Sequence, residues 1–381
     1  MKNIPFSSIR SITSEVARLR AQGKDVIDLS LGEPDFDTPR HIVDAMTDAV
    51  YRGETHYTDQ KGILELRQAI SATLKNNKNL AYDPEEIICT VGASEGIYIS
   101  LTSFLDPGDE MLVPNPAWPL YTHVAAVNEA RCVGYSLTEN NGFQIDVNEL
   151  ETKISPRTKI LLLLDPSNPV GCTQKKETLK QVAECCIKHN LLVLSDEIYD
   201  KIVYDGQENY SIAGFPGMRE RTIVLNGFAK AYAMTGWCLG YTAAPTQLTD
   251  VMARLHMYLV PHASVMVQWG GLAALTGPQE PVQKMVAEFQ RRRDFIHQAL
   301  NETRGLSCVK PSGAFYIFLN IAQTGMTSDE FTLFLLREAD VGVAPGSAFG
   351  SAGEGYVRIS YATSMKNLEK AAIRISKAMN R

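Results

Sequence analysis

The chain is poor in every feature that would tie it to a metal, a membrane, a nucleic acid or an oxidising compartment. Its seven cysteines, Cys89, Cys132, Cys172, Cys185, Cys186, Cys238 and Cys308, are odd in number and scattered, and none falls in CxxC spacing. Neither a disulfide framework nor a zinc site is therefore expected, no metal ligand is assigned, and a reducing cytoplasm is the expected compartment. No window reaches the roughly 18 consecutive apolar residues of a membrane span. The stretch Met1–Arg10 has no apolar signal core, so no membrane partner is expected. A formal net charge of -6 and a pI near 5.7 leave no electrostatic footprint for nucleic acid, and the short basic run Arg291, Arg292, Arg293 reads as a solvated helix face. Internal repeats and low-complexity tracts are also lacking.

What is present is a large apolar budget: 381 residues, 45% hydrophobic and 21% charged, enough for two domains or one with an appendage. Between about residues 85 and 245 short β-rich runs alternate with helical segments. The runs are Glu86–Val91, Glu110–Val113, Arg131–Tyr135, Lys159–Leu164, Leu191–Leu194, Thr222–Leu225 and Gly240–Ala243; helix candidates include Ser94–Phe104 and Lys175–Lys188. A continuously apolar run such as Ile160–Leu164 is a strand buried on both faces. The pattern predicts an α/β fold, with a large domain whose mostly parallel sheet is flanked by helices. The ends differ. Residues 1–45 offer an amphipathic helix and a strand candidate Val26–Leu31, and residues beyond 278 offer a long charged helix, Glu280–Arg304, the strands Ala314–Leu319 and Tyr356–Ile359, and a terminal helix. A large domain over 46–278 and a smaller α+β domain built from 1–45 and 279–381 are expected, divided at Thr276, Gly277, Pro278.

In such sheets ligands lie beyond the carboxyl ends of strands. Four of those ends carry polar groups: Gly92, Ala93, Ser94 opening a helix; Asp165, Pro166, Ser167, Asn168, Pro169; Ser195, Asp196, Glu197, Ile198, Tyr199; and Asn226 to Lys230. Each alone has a bland reading, since serine is an ordinary helix cap and a lysine after a strand is usually a solvated loop residue. Together they suit pyridoxal 5′-phosphate (PLP). Its aldehyde needs an amine whose pKa is lowered by desolvation, its ring nitrogen needs an anion, its phenolic oxygen needs donors, and its phosphate needs a helix start.

At this point the chain resembles a fold type I, class I PLP-dependent aminotransferase of the aspartate and aromatic branch, from Gly32, Glu33, Pro34, Asp35, Phe36 to Val357, Arg358, Ile359, Ser360, Tyr361, Ala362. The resemblance implies that Lys230 is the Schiff-base lysine and Asp196 the partner of the ring nitrogen. It implies that Asn168 and Tyr199 bond the phenolic oxygen, that Ala93 and Ser94 hold the phosphate, and that Trp118 stacks on the ring. Arg358 and Gly32, with Asn168, then receive the substrate carboxylate. Without the resemblance, Trp118 reads as core, Gly32 as a turn glycine and Arg358 as a surface residue. Tyr57 resembles a tyrosine that reaches the phosphate of a neighbouring subunit, which implies a homodimer with shared sites. The implied activity is ping-pong amino exchange between an L-amino acid and a 2-oxo acid; PLP-dependent oxidation or elimination on the same fold is the alternative.

The chain departs from that family at Cys238, where an arginine usually meets the phosphate, at Val170, and at Asp59, Gln60, Lys61. Weaker cofactor retention, or compensation by Lys61 or His262, is expected from the first.

Overall fold

The computed structural model describes residues 8–380. Its strands are β1 (Ile27–Asp28), β2 (Ile87–Val91), β3 (Glu110–Asn115), β4 (Arg131–Ser136), β5 (Thr158–Leu164), β6 (Leu192–Asp196), β7 (Thr222–Gly227), β8 (Leu239–Ala243), β9 (Tyr316–Asn320), β10 (Val341–Gly342), β11 (Ala344–Pro345) and β12 (Tyr356–Ser360). The seven runs expected between residues 85 and 245 all join one sheet, in the order β2-β8-β7-β6-β5-β3-β4. Only β8 runs against its neighbours; the remaining pairs are parallel. The fold is thus α/β with a mostly parallel central sheet.

The continuous apolar run in β5 has a direct cause. Leu161 and Leu163 enter the core on one face of the sheet, with Val182 and Cys186 of the helix Lys176–Lys188. Ile160, Leu162 and Leu164 enter the core on the other, with Ile97 and Leu101 of the helix Gly92–Phe104. Both faces of the strand are covered, so neither set can be polar.

Residues near the two ends of the chain meet. β1 pairs in parallel with β10, and β9, β12 and β11 form a separate antiparallel sheet. The helix Met365–Met379 covers part of this region, presenting Leu368, Ala371, Ile375 and Ala378 at helical spacing, and the Ser364 hydroxyl caps it by accepting from the Asn367 N–H at 3.2 Å. The strand expected over Val26–Leu31 is only two residues long. Beyond Asp28 the backbone passes from β10 to β12: the Leu29 N–H still donates to the Gly342 carbonyl at 2.7 Å, but the Leu29 carbonyl accepts from the Ser360 N–H at 2.8 Å, while the Asp28 carboxylate accepts from the N–H and the hydroxyl of Ser30 at 2.9 and 2.6 Å. The long helix stops at Asn301, whose side chain bonds the Cys308 N–H at 3.0 Å. Among the described residues no helix is long and apolar enough to cross a membrane.

Candidate active site

The carboxyl ends of β2, β5, β6 and β7 open on a cavity of about 500 Å³. Gly32, Ala93, Ser94, Trp118, Asn168, Asp196, Tyr199, Lys230 and Arg358 all line it. Because β8 runs in reverse, its amino-terminal end lies at the same edge and brings Cys238 into the lining.

Lys230 follows β7 and is partly buried, with its Nζ donating to the Gly32 carbonyl at 2.6 Å. Burial, supported by the nearby Arg358 charge, lowers its pKa to about 8. Asp196 ends β6, the strand paired with β7, and is 2% exposed. The Tyr121 hydroxyl donates to one of its oxygens at 2.7 Å and the Ile198 N–H to the other at 3.1 Å. Burial still pushes its pKa up to about 6. Behind it, Glu197 accepts from the Ser195 and Ser211 hydroxyls and from Lys78, which also bonds Asp200 at 2.9 Å. This buried pairing pins the turn that carries Asp196 and Tyr199.

Arg358 comes from β12 and is 3% exposed. Its guanidinium donates to Asn168 Oδ1 at 3.0 Å and to the Ser30 carbonyl at 2.5 Å, and lies over the rings of Tyr316 and Phe349 at 4.5 and 4.9 Å. Its Nε is buried without a partner. Tyr199 and Tyr316 share a hydroxyl–hydroxyl hydrogen bond of 2.8 Å. Trp118 sits edge-on to Tyr121, ring centroids 5.9 Å apart.

The helix Gly92–Phe104 begins without a side-chain cap, so the first N–H groups, those of Gly92, Ala93 and Ser94, are not taken by one. Ser94 is therefore inside the helix, not its cap. Gly240 on β8 packs against this start: a Cβ there would fall 2.6 Å from the Ala93 nitrogen.

Tyr57 is not brought to the cavity by its own chain. It is 84% exposed and meets the His262 ring at 5.6 Å. The expected stand-ins for the missing arginine are also elsewhere. Lys61 donates to the Glu85 carbonyl at 2.8 Å with the Glu85 and Asp250 carboxylates nearby, and His262 bonds the Ala263 carbonyl at 2.7 Å. Sequence reasoning missed Tyr121, Tyr316 and Arg10, which line the same cavity. Tyr121 carries a faint signal, lying three residues beyond Trp118 in the first turn of the helix Leu120–Val127; Tyr316 and Arg10 look like a core strand residue and a surface helix residue.

The sequence pattern of the family "Aminotransferase class I and II" matches residues 24–375. The chain is 44% identical to the aspartate aminotransferase of Pyrococcus abyssi and 43% identical to aromatic-amino-acid aminotransferase 2 of Thermococcus litoralis, in both cases over 96% of this chain and 95% of the relative. The crystal structure of the aspartate aminotransferase from Rhizobium meliloti superposes with a TM-score of 0.96 at 38% identity, covering 100% of this chain and 98% of that one. These likenesses favour amino-group transfer over oxidation or elimination. The chain belongs to the aminotransferase class I and II family.

Proposed function

We propose that this aminotransferase uses PLP held in the cavity described above, and that it exchanges the amino group of an L-amino acid with a 2-oxo acid. The observation that carries the reading is the pairing of a lysine amine of lowered pKa with a buried carboxylate at the ends of two neighbouring parallel strands. The residues present fit the cofactor. The uncapped helix start, approached closely by Gly240, suits a phosphate. The orphaned Nε of Arg358 suits a carboxylate.

When bound, PLP supplies an aldehyde that takes up the amino group and a ring that draws electron density from the substrate Cα. Lys230 would hold the cofactor through its amine and, once released, carry the proton lost by Cα as general base and acid. Asp196 would keep a negative charge beside the ring nitrogen. Tyr199 and the amide NH2 of Asn168 would donate to the phenolic oxygen, Ala93 and Ser94 would cradle the phosphate, and Trp118 would cover the ring. Arg358 would grip the substrate carboxylate, with Gly32 and Asn168 beside it, fixing the orientation of the Cα–H bond.

The relatives' names make acidic and aromatic amino acids the first donors to test. Residues 46–278 would form the cofactor domain, with 1–45 and 279–381 the smaller one, of which residues 1–7 and 381 lie outside the described residues. Exposed Tyr57 would serve the neighbouring site of a cytoplasmic homodimer. Mixing the cofactor-loaded protein with a donor and no acceptor tests the reading: one 2-oxo acid and one amine-form cofactor should appear per site. Release of ammonia or peroxide instead would overturn it.

A further inference from the structure

We infer that Glu151, Cys185 and His189 form a binding site for a zinc ion, joining the short helix Val147–Thr152 to the helix Lys176–Lys188 outside the active-site cavity, which none of the three lines. CxxC spacing does not register this group, because the cysteine and the histidine lie one helical turn apart. The His189 N–H closes the last turn of the helix on the Cys185 carbonyl at 3.1 Å, so both side chains leave the same helix face. Paired ligands at that spacing bind zinc in helical motifs such as HExxH. Glu151 supplies the third donor from the helix packed alongside: its Oε1 lies 2.8 Å from His189 Nε2. The three donor atoms fall within 4.8 Å of one another, and among the described residues no other three His, Cys, Asp or Glu side chains converge so closely. Tetrahedral zinc holds such donors about 3.5 Å apart, so rotation of the side chains closes the site.

Ligand chemistry and charge select the ion. A thiolate, an imidazole and a carboxylate make a zinc set, whereas magnesium and calcium take oxygen donors. Thiolate and carboxylate together neutralise a divalent ion, which lets a half-buried site hold it without net charge. Without the metal, burial and the neighbouring Glu151 charge hold the Cys185 thiol above its ordinary pKa. As the zinc–sulfur bond forms, the thiol proton passes to water and the cation stabilises the sulfur anion. Beside Glu151 and Cys185 lies a surface cavity of about 400 Å³, with room for a water as fourth ligand. One cation already competes for the carboxylate, since Lys188 bonds Glu151 Oε1. Its side chain is 65% exposed, so it can swing into water when zinc arrives.

Equilibrium dialysis of the cofactor-loaded protein against zinc chloride tests the assignment. The parent should hold one zinc per chain at micromolar concentration, with excess magnesium unable to displace it. His189→Gln and Cys185→Ser should each weaken that binding at least about tenfold, and Lys188→Gln, which removes the competing ammonium, should tighten it about twofold to fivefold. The gain is the sharper result, because a misfolded variant cannot produce it. Cobalt in place of zinc should give the intense visible d–d bands of a four-coordinate ion in the parent and lose them in Cys185→Ser. Zinc bound without fixed stoichiometry, zinc held equally by the parent, His189→Gln and Cys185→Ser, or weaker binding by Lys188→Gln overturns the site.

Discussion

The floor of the cavity and its side wall are built in different ways. The floor places Asp196 at the last residue of β6, and Asn168 and Lys230 a few residues beyond β5 and β7, so each group is positioned by its own or the preceding strand. The wall is assembled across the chain: Arg358 bonds Asn168 and Ser30, which lie 190 and 328 residues away. The floor is where burial moves pKa values toward neutrality, and the wall is where a permanent guanidinium waits for an anion. The difference teaches a division of labour, with proton movement on the floor and carboxylate recognition on the wall.

Variants can break that division. Lys230→Ala should have the largest effect, cutting the rate of amino-group transfer by at least about a thousandfold while succinate affinity persists in a titration. Loss of both together would dissolve the distinction. Asp196→Asn should lower the transfer rate on the order of a hundredfold, and it should also reveal the cost of burying the acid. Its folded pKa, about 6, lies above the ordinary 3.8. A raised carboxylate pKa makes native stability fall as pH climbs through that interval, with the penalty complete above it. The cofactor-free Asn variant should therefore melt higher than the parent at pH 7 and show little gain at pH 4.

On the wall, Arg358→Gln should raise KM about tenfold or more for every donor, whatever its side chain, with a smaller change in kcat. A kcat loss matching that of Lys230→Ala would place Arg358 in the chemistry. Cys238→Arg, at the phosphate end, should tighten PLP binding about tenfold; an unchanged dissociation constant means no anchor is missing. The mildest test is pH. With the Lys230 pKa lowered to about 8, the neutral amine grows as pH rises, so cofactor uptake by the cofactor-free protein should quicken several-fold between pH 7 and 9.

The same contrast explains what could be read from the sequence. The seven central strands were legible because β5 and its neighbours are apolar on both faces, and the floor was legible because its polar residues interrupt that pattern at strand ends. β1 was overdrawn, since apolar spacing does not register that the backbone switches at Leu29 from β10 to β12. The wall was not legible from chemistry: an arginine in a strand looks the same whether it meets water or a substrate, and only the family resemblance picked out Arg358. Tyr316 and Arg10 left no signal, because their place at the cavity comes from packing between distant segments. Tyr121 hides in a helix whose turn happens to face Asp196.

The central claim is that the amine of Lys230 is the one that bonds the cofactor. Borohydride reduction of the PLP-loaded protein, followed by peptide mapping, tests it directly. One pyridoxyl group per chain, on the peptide containing Lys230, is the predicted result; a group on Lys61 or any other lysine, with Lys230 unmodified, would contradict it.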